Sequence, residues 1–506
     1  MPSFLSRQTR YGVSYSKLYS ICGLIYLNST MAGLDASLIG NLNTLPSFQS
    51  FFGTGASKAT TGIIFASMQV GGILGAFTLR LADSRGRLFC IQLGSIGVIC
   101  GALIQAFSRS MWMFMVGRFT LGFFSTLACR SSSIYLIEIS PAERRGTIAG
   151  LYNTLFFLGS ILATLAVLVS QALYHGHTAW RVPVALQCVF PAIVASGVRY
   201  IPESPRWLVA NSRPSEARDV MASLHSNGVL THKVSEEFAQ MEADVRQRDG
   251  MPTGWSVLYS TKSRKRRLFI LLCMSLFGQM SGNNIISYYL PTMLHDVGIK
   301  EMSTKLYLNG LYAIIGWTAA AVGARLHDYY GRRKMCVICL KDPRKTARHL
   351  TKSRLYNCTS GLATCMGLLA LSMGMYYRTG EFLYSTFSLL TIYTFGVIFA
   401  TGYTSMQPVY PAEVMTNDMR ARGMAVATMC GGSAGCLNTL LAPAAMARLG
   451  PMFFFLFCVW DFVEAAIINA YFVETKGRTL EELEEVFNSD DPVGLSIEKS
   501  SKERMF

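Results

Sequence analysis

Charge is scarce in this sequence. Asp, Glu, Lys and Arg make up 15% of its 506 residues, where a soluble chain carries about 25%. That shortage excludes an ordinary water-soluble globular protein. Metal-ligand spacing is missing as well. The 13 Cys fall mostly inside apolar runs, no CxxC is matched by a second Cys or His pair, and the seven His are scattered. Neither a zinc site nor a disulfide framework is supported. No nucleophile–base pair or phosphate loop stands out, and Gly431, Gly432 and Gly435 sit in an apolar run where they read as close helix packing. The chain is therefore read as no enzyme, with no metal and no cofactor. No small-residue cleavage site follows a short apolar stretch near the start, so the first apolar run is expected to target the chain and stay.

What fills the space is apolar. Hydrophobic residues reach 51% and the mean hydropathy is +0.32. Runs such as "LFILLCMSLFGQMSGNNIISYYL" and "MFFFLFCVWDFVEAAIINAYFV" are long enough to cross a bilayer as helices, which takes ~20 residues. Twelve spans are expected, at 18–40, 60–81, 88–107, 111–134, 147–171, 183–201, 268–291, 306–327, 335–377 (interrupted), 383–409, 424–446 and 452–473. The net charge of +16 raises nucleic acid as a partner. Its distribution argues otherwise: the cations gather in links after spans 2, 4, 6, 8 and 10, as positive residues do in cytoplasmic loops. The reading is an all-α multi-pass membrane protein whose partners are the lipid bilayer and a small molecule, with both termini cytoplasmic.

The domain plan follows. Residues 1–17 are a cytoplasmic tail and 18–207 a six-helix bundle. Residues 208–267 are a polar linker with short amphipathic helices, 268–473 a second six-helix bundle, and 474–506 a second cytoplasmic tail.

The halves repeat. "ADSRGR", with Asp83 and Arg87, follows span 2, and "HDYYGRRK", with Asp328 and Arg332, follows span 8. "YLIEISPAERRG", with Glu138 and Arg145, follows span 4, and "YPAEVMTNDMRARG", with Glu413 and Arg422, follows span 10. A membrane protein of two such halves reads as a transporter with its substrate site between them near the midplane. Acids and arginines at these helix ends can latch one face closed in one state and free it in the other. Only a few kcal/mol bias such a two-state equilibrium. Loop charge obeying the positive-inside rule is the alternative for any single motif, but not for two motifs repeated in order.

The spacing is uneven. Asp83 to Asp328 is 245 residues and Glu138 to Glu413 is 275. The second half has thus gained 30 residues between its two motifs, and "KDPRKTARHLTKSRLY", residues 341–356, with six cations and one acid, Asp342, lies in that gap. These cations cannot lie in hydrocarbon, at ~2.5–3.5 kcal/mol each for insertion at a helix centre. Removing the block joins "MCVICL" to "NCTSGLATCMG" as one apolar segment. Either the block is absent from the working protein, or it is a cytoplasmic extension with span 9 starting near Asn357.

With these motifs in place, the chain resembles the sugar porters of the major facilitator superfamily over about residues 15–487. "PESPRWL" (202–208), with Glu203 and Arg206, closes the first half, and "VETKGRTLEELEEVF" (473–487), with Glu474, closes the second. "GRFTLG" and "AWRVPVALQ" add to it, and "GQMSGNNIISYYL" and "YPAEV" look most like the fungal lactose-permease and hexose-transporter branch. Departures are Leu34, Ser84, Ser133, Gly278 and Val473, where the family usually has an aromatic, a basic residue, Pro, Gln and Pro. The resemblance implies the major facilitator fold, sugar transport, a plasma-membrane location and a monomer.

Asp35 stands within the apolar run of span 1, and an intramembrane acid is by default a functional candidate. The resemblance makes it the proton-coupling acid, partnered by Arg118 on span 4, and implies proton symport. A passive sugar or polyol uniporter and a non-transporting sugar sensor are the alternatives. Arg130 on span 4 and Asp461 and Glu464 on span 12 are further intramembrane charges without an assigned role. Sugars need neutral amides, hydroxyls and aromatic rings in a mostly apolar site. Span 7 supplies Gln279, Asn283, Asn284 and Tyr288; span 5 supplies Asn153; span 10 supplies Tyr403 and Gln407. Each such amide could instead serve an interhelical hydrogen bond.

Overall fold

A computed structural model describes residues 15–53, 58–141, 144–226, 228–249, 255–330, 354–475 and 480–496. Helices make up its regular structure, with no strand among the described residues. Ten helical segments are long and apolar enough to cross a membrane among those residues. The other two of the twelve are span 1, Ser16–Leu42, whose apolar run is diluted by Asn28, Asp35 and Asn41, and span 2, Lys58–Phe77. The twelve spans form the two six-helix bundles of the major facilitator fold.

Several spans depart from single uniform rods, each for a local reason. Span 6 starts at Thr178 and breaks after Leu186, with Pro183 inside its first part; proline removes a helix hydrogen bond and disturbs the preceding turn. Span 7 runs Lys262–Met280, stops at Ser281–Gly282 and resumes as Asn283–Asp296. Gly282 has φ +87°, a left-handed conformation that glycine adopts freely. Span 10 loosens to a π-turn at Ala400–Thr404 between Phe382–Phe399 and Ser405–Val414. Span 11, Asn417–Leu449, is the longest unbroken helix among the described residues. Span 4, Met111–Ile139, starts at Ser110, whose Oγ accepts from the Met113 N–H at 3.3 Å and so satisfies one of the free donors of the first turn.

Span 9 runs Arg354–Thr379, and Cys358–Thr379 is by itself long and apolar enough to cross. It does not need "MCVICL" to complete it. Residues 331–353, with most of the basic block and Arg332, lie outside the described residues.

Within the first half, span 1 packs on span 5 and span 4 on spans 2 and 3; in the second, span 9 packs on spans 10 and 12 and span 7 on span 11. Backbones approach closely between spans 1 and 5: a Cβ on Gly33 would strike the Phe156 carbonyl, and one on Gly159 the Thr30 carbonyl. Small residues permit this closeness, which drives helix association where no water is expelled. Between halves, span 2 packs on span 11 and span 5 on span 8, each pair the image of the other under the repeat. The halves also meet on both sides of the midplane. Asn309 donates to Asn41 at 2.5 Å near one end, and Asn153 to the Thr404 carbonyl at 2.6 Å toward the other.

Candidate functional site

Asp35 is fully buried. Its Oδ1 accepts from Gln187 Nε2 of span 6 at 2.9 Å, while Oδ2 has no partner. Arg118 is also buried, and its Nη1 donates to the backbone carbonyl of Asp35 at 3.0 Å, not to the carboxyl. The expected pair is thus adjacent but not closed. Gln187 has taken the acid, because the break after Leu186 turns this amide inward. Tyr288 of the second half is within electrostatic reach of Arg118. Arg130 differs from the other intramembrane charges in being exposed rather than buried.

Around Tyr288 a set of amides gathers. Gln69 of span 2 faces its hydroxyl at 3.4 Å. Asn284 donates to Gln279 Oε1 at 2.8 Å, and Asn438 of span 11 donates to the Gln279 carbonyl at 2.8 Å. The span-7 break brings this about: it places Gln279 before and Asn283 and Asn284 after a discontinuity, the construction that forms midplane sites in transporters. Asn283 and Asn284 are half-buried. A side chain on Gly278 would collide with the Gln407 carboxamide, so Gln407 of span 10 occupies the room that the family's usual Gln would take.

Two expected members lie elsewhere. Asn153 is committed to the Thr404 carbonyl of span 10. Tyr403 is buried on the far side of span 10, stacked on Phe399 with centroids 5.4 Å apart and bonded to Thr359 of span 9 at 3.0 Å. Both are held by interhelical contacts apart from the span-7 amides. Gln69, Asn438 and Gln187 belong to the two sites and were not singled out from the sequence; the signal was the same as for Gln279, an amide alone in an apolar run.

The charged motifs of the first half converge. Arg87 grips Glu138 with two bonds, Nε at 2.9 Å and Nη2 at 3.0 Å, and reaches Asp83 at 3.3 Å. Ser204 donates to Glu138 at 2.5 Å. Glu203 accepts the N–H groups of Arg87, Leu88 and Ser204 at 3.2, 3.1 and 2.9 Å, which caps the start of span 3, Arg87–Ala106. Burial pushes the Glu203 carboxyl above the usual range, against the pull of those N–H donors and of Arg87. Arg206 and Arg422 each have an interaction of their own. The side chains of Arg145 and Asp328 lie outside the described residues.

The second half repeats the design. Tyr135 Oη donates to the Pro202 carbonyl at 2.6 Å, and Tyr410 Oη to the Val473 carbonyl at 2.9 Å. Ser204 donates to Glu138, and Thr475 to Glu413 at 2.6 Å. The backbone N–H of Glu474 donates to Ser496 at 3.3 Å. The ion pairs of the Arg87 network all lie within the first half. Among the described residues, amide side chains make hydrogen bonds between the halves: Asn309 to Asn41, Asn153 to Thr404 and Gln69 to Tyr288.

A model of the family described as "Sugar (and other) transporter" matches residues 21–487. The chain belongs to that family. It is a multi-pass membrane transporter of the major facilitator superfamily, not an enzyme. It is 25% identical over 488 residues to the MFS-type transporter criB of Aspergillus cristatus, covering 96% of each chain. It is 26% identical over 511 residues to the MFS glucose transporter mfs1 of Aspergillus flavus, covering 96% of this chain and 92% of that one. Among solved structures, the proton:xylose symporter XylE of E. coli, bound to 6-bromo-6-deoxy-D-glucose, superposes with a TM-score of 0.75 at 19% identity. That match covers 93% of this chain and 99% of XylE and shares the fold.

Proposed function

We propose that the chain carries a mono- or disaccharide across the membrane together with a proton, by alternating access. The observation behind this reading is the Asp35 carboxyl: buried in mid-span, held by a neutral amide, with a guanidinium resting on its own backbone. Ionised, this acid draws Arg118 from the carbonyl to the carboxylate. Protonated, it releases it. Arg118 interacts electrostatically with both Asp35 and Tyr288, so its movement is felt at span 7, where the second half supplies its amides. Gln69, Gln279, Asn283, Asn284, Tyr288 and Gln407 offer a sugar neutral donors and acceptors beside an aromatic ring. Asn153 gates its access through Thr404. The glucose and proton:xylose names among the relatives support both sugar and proton as cargo.

The charged cluster at Asp83, Arg87, Glu138, Arg145, Glu203 and Arg206, and its counterpart at Asp328, Arg332, Glu413, Arg422 and Glu474, steadies the cytoplasmic ends of the spans as the halves rock. In this reading both termini face the cytoplasm, the protein works as a monomer in the plasma membrane, and it uses a coupling proton and no cofactor. Of the two readings of the block at 341–356, a cytoplasmic extension is favoured over its absence from the working protein, since Cys358–Thr379 is long and apolar enough to cross by itself.

The test is uptake of labelled mono- and disaccharides, at acid and neutral pH, by cells lacking their own sugar transporters. The full chain, a form lacking 341–356 and Asp35→Asn are compared. Uptake by the full chain, stronger at acid pH and lost in Asp35→Asn, is expected. Uptake indifferent to pH and to Asp35→Asn would make it a uniporter. Uptake only without 341–356 would remove the block from the working protein. No sugar uptake by any form present at the cell surface would overturn the reading.

A further inference from the structure

Span 12, Met452–Tyr471, buries a stripe of Phe454, Phe457, Cys458, Asp461, Ala465 and Ile468, and packs chiefly on span 9. Two carboxyls interrupt this apolar surface. Asp461 and Glu464 are fully buried and three residues apart, on one helix face. Both oxygens of Asp461 and Oε2 of Glu464 have no hydrogen-bond partner. Glu464 Oε1 accepts from the indole N–H of Trp460. The ionisable groups facing the pair are Tyr403 of span 10, Cys358 of span 9, Cys273 of span 7 and Cys458 of span 12 itself. Span 11 also packs on span 12 and adds none. No cation faces the pair among the described residues.

Two adjacent carboxylates without a cation cannot both stay ionised in a dry interior; such pairs share a proton. A metal ion would need several oxygens set around a hollow, and the surroundings here are rings, thiols and one hydroxyl. We infer that Asp461 and Glu464 form a second proton-binding site, in the half of the transporter opposite Asp35, holding at least one proton on the pair.

The site has a route to the gate. Tyr403 faces Glu464 and bonds Thr359 of span 9. It lies in the π-turn Ala400–Thr404, an irregularity that often marks functional sites. The next residue, Thr404, offers its carbonyl to Asn153 of the other half. Loss of the proton leaves a second buried charge beside Tyr403. The π-turn then shifts, and the inter-half contact at Thr404 with it. This consequence for transport rests on the proton-coupled reading above; the bound proton itself does not.

The direct test is infrared difference spectroscopy on the purified full chain in lipid vesicles, stepping from alkaline to acid buffer in H₂O and D₂O. The C=O stretch of a protonated carboxylic acid is separate from that of a carboxylate. An acid band is expected in the wild type and, without the Asp35 contribution, in Asp35→Asn, and a component of it should be missing in Asp461→Asn/Glu464→Gln. If that double variant does not fold, Asp461→Asn and Glu464→Gln singly decide: each must shift or weaken the band. An unchanged band in the folded double variant, or in both single variants, overturns the inference. For transport, the neutral double variant is expected to keep sugar exchange within about threefold of wild type, under ~1 kcal/mol, with a flattened pH dependence. A flattened profile in Asp35→Asn with an intact acid band would sustain the second site independently of the first.

Discussion

Arg118 meets Asp35 at its backbone, Nη1 to carbonyl oxygen at 3.0 Å, while the carboxyl of the same residue is held at 2.9 Å by Gln187. The acid and the base are neighbours without being an ion pair, and a neutral amide stands as the third member. Replacing Gln187 with Leu leaves the one paired oxygen of Asp35 without a donor. The expected loss is about 1–3 kcal/mol of stability, the cost of an unsatisfied buried group. Thermal unfolding in detergent reads it. In an Asp35→Leu background the same change has less effect, since residues in contact do not act additively.

Gly278 and Gln407 are one feature divided between two helices. Gly278→Gln forces a side chain into the Gln407 carboxamide. Overpacking of this kind costs ~1–3 kcal/mol. Sugar uptake should fall by about tenfold or more, a change worth ~1.4 kcal/mol. Gly278→Gln/Gln407→Gly, which moves the amide from span 10 to span 7, should recover most of it. Equal uptake by the single and double variants would separate the two positions.

The Arg87–Glu138 pair is buried, with side-chain exposures of 8% and 9%, and two-pronged. Breaking a buried pair from one side costs about 3–5 kcal/mol, because a charge is left uncompensated. Arg87→Ala should lower the unfolding midpoint markedly. Glu138→Gln on top of it should cost little more. Arg87→Lys should fall short of wild type, since an ammonium cannot reproduce the fork.

Glu203 predicts a pH dependence with a definite sign. Its carboxyl titrates above the ordinary range when folded. The folded protein therefore binds this proton more tightly than the unfolded chain, and stability rises as pH falls through the raised value toward the ordinary one. Glu203→Gln has no proton to bind. The midpoint of wild type minus that of Glu203→Gln should grow as pH falls below neutral. A difference that shrinks would mean the N–H donors outweigh burial.

Much of this was legible in residue order. The repeated motifs located the charged cluster of the first half, and the structure returns part of the repeat in atoms: Tyr135 and Tyr410 bond equivalent carbonyls, as Ser204 and Thr475 bond equivalent acids. The amides of span 7 were legible because an Asn or Gln in an apolar run is conspicuous. Which partner each amide takes was not, because that depends on how broken helices rotate. Gln187 turns to Asp35 through the kink of span 6. Asn153 is drawn to a carbonyl that offers itself at the π-turn of span 10. Tyr403 faces spans 9 and 12 because the same π-turn rotates the residues around it. Gly278 reads in sequence as a lost contact, and only the packing reveals that Gln407 fills the gap.

The central claim is that sugar and proton cross together through Asp35. The most direct measurement is proton movement into vesicles carrying the purified protein, followed with a pH-sensitive dye when sugar is added outside. The account predicts internal acidification that tracks labelled sugar uptake with a fixed ratio, and its disappearance in Asp35→Asn while sugar exchange continues. Sugar entering the vesicles with no proton movement in the wild type would contradict it.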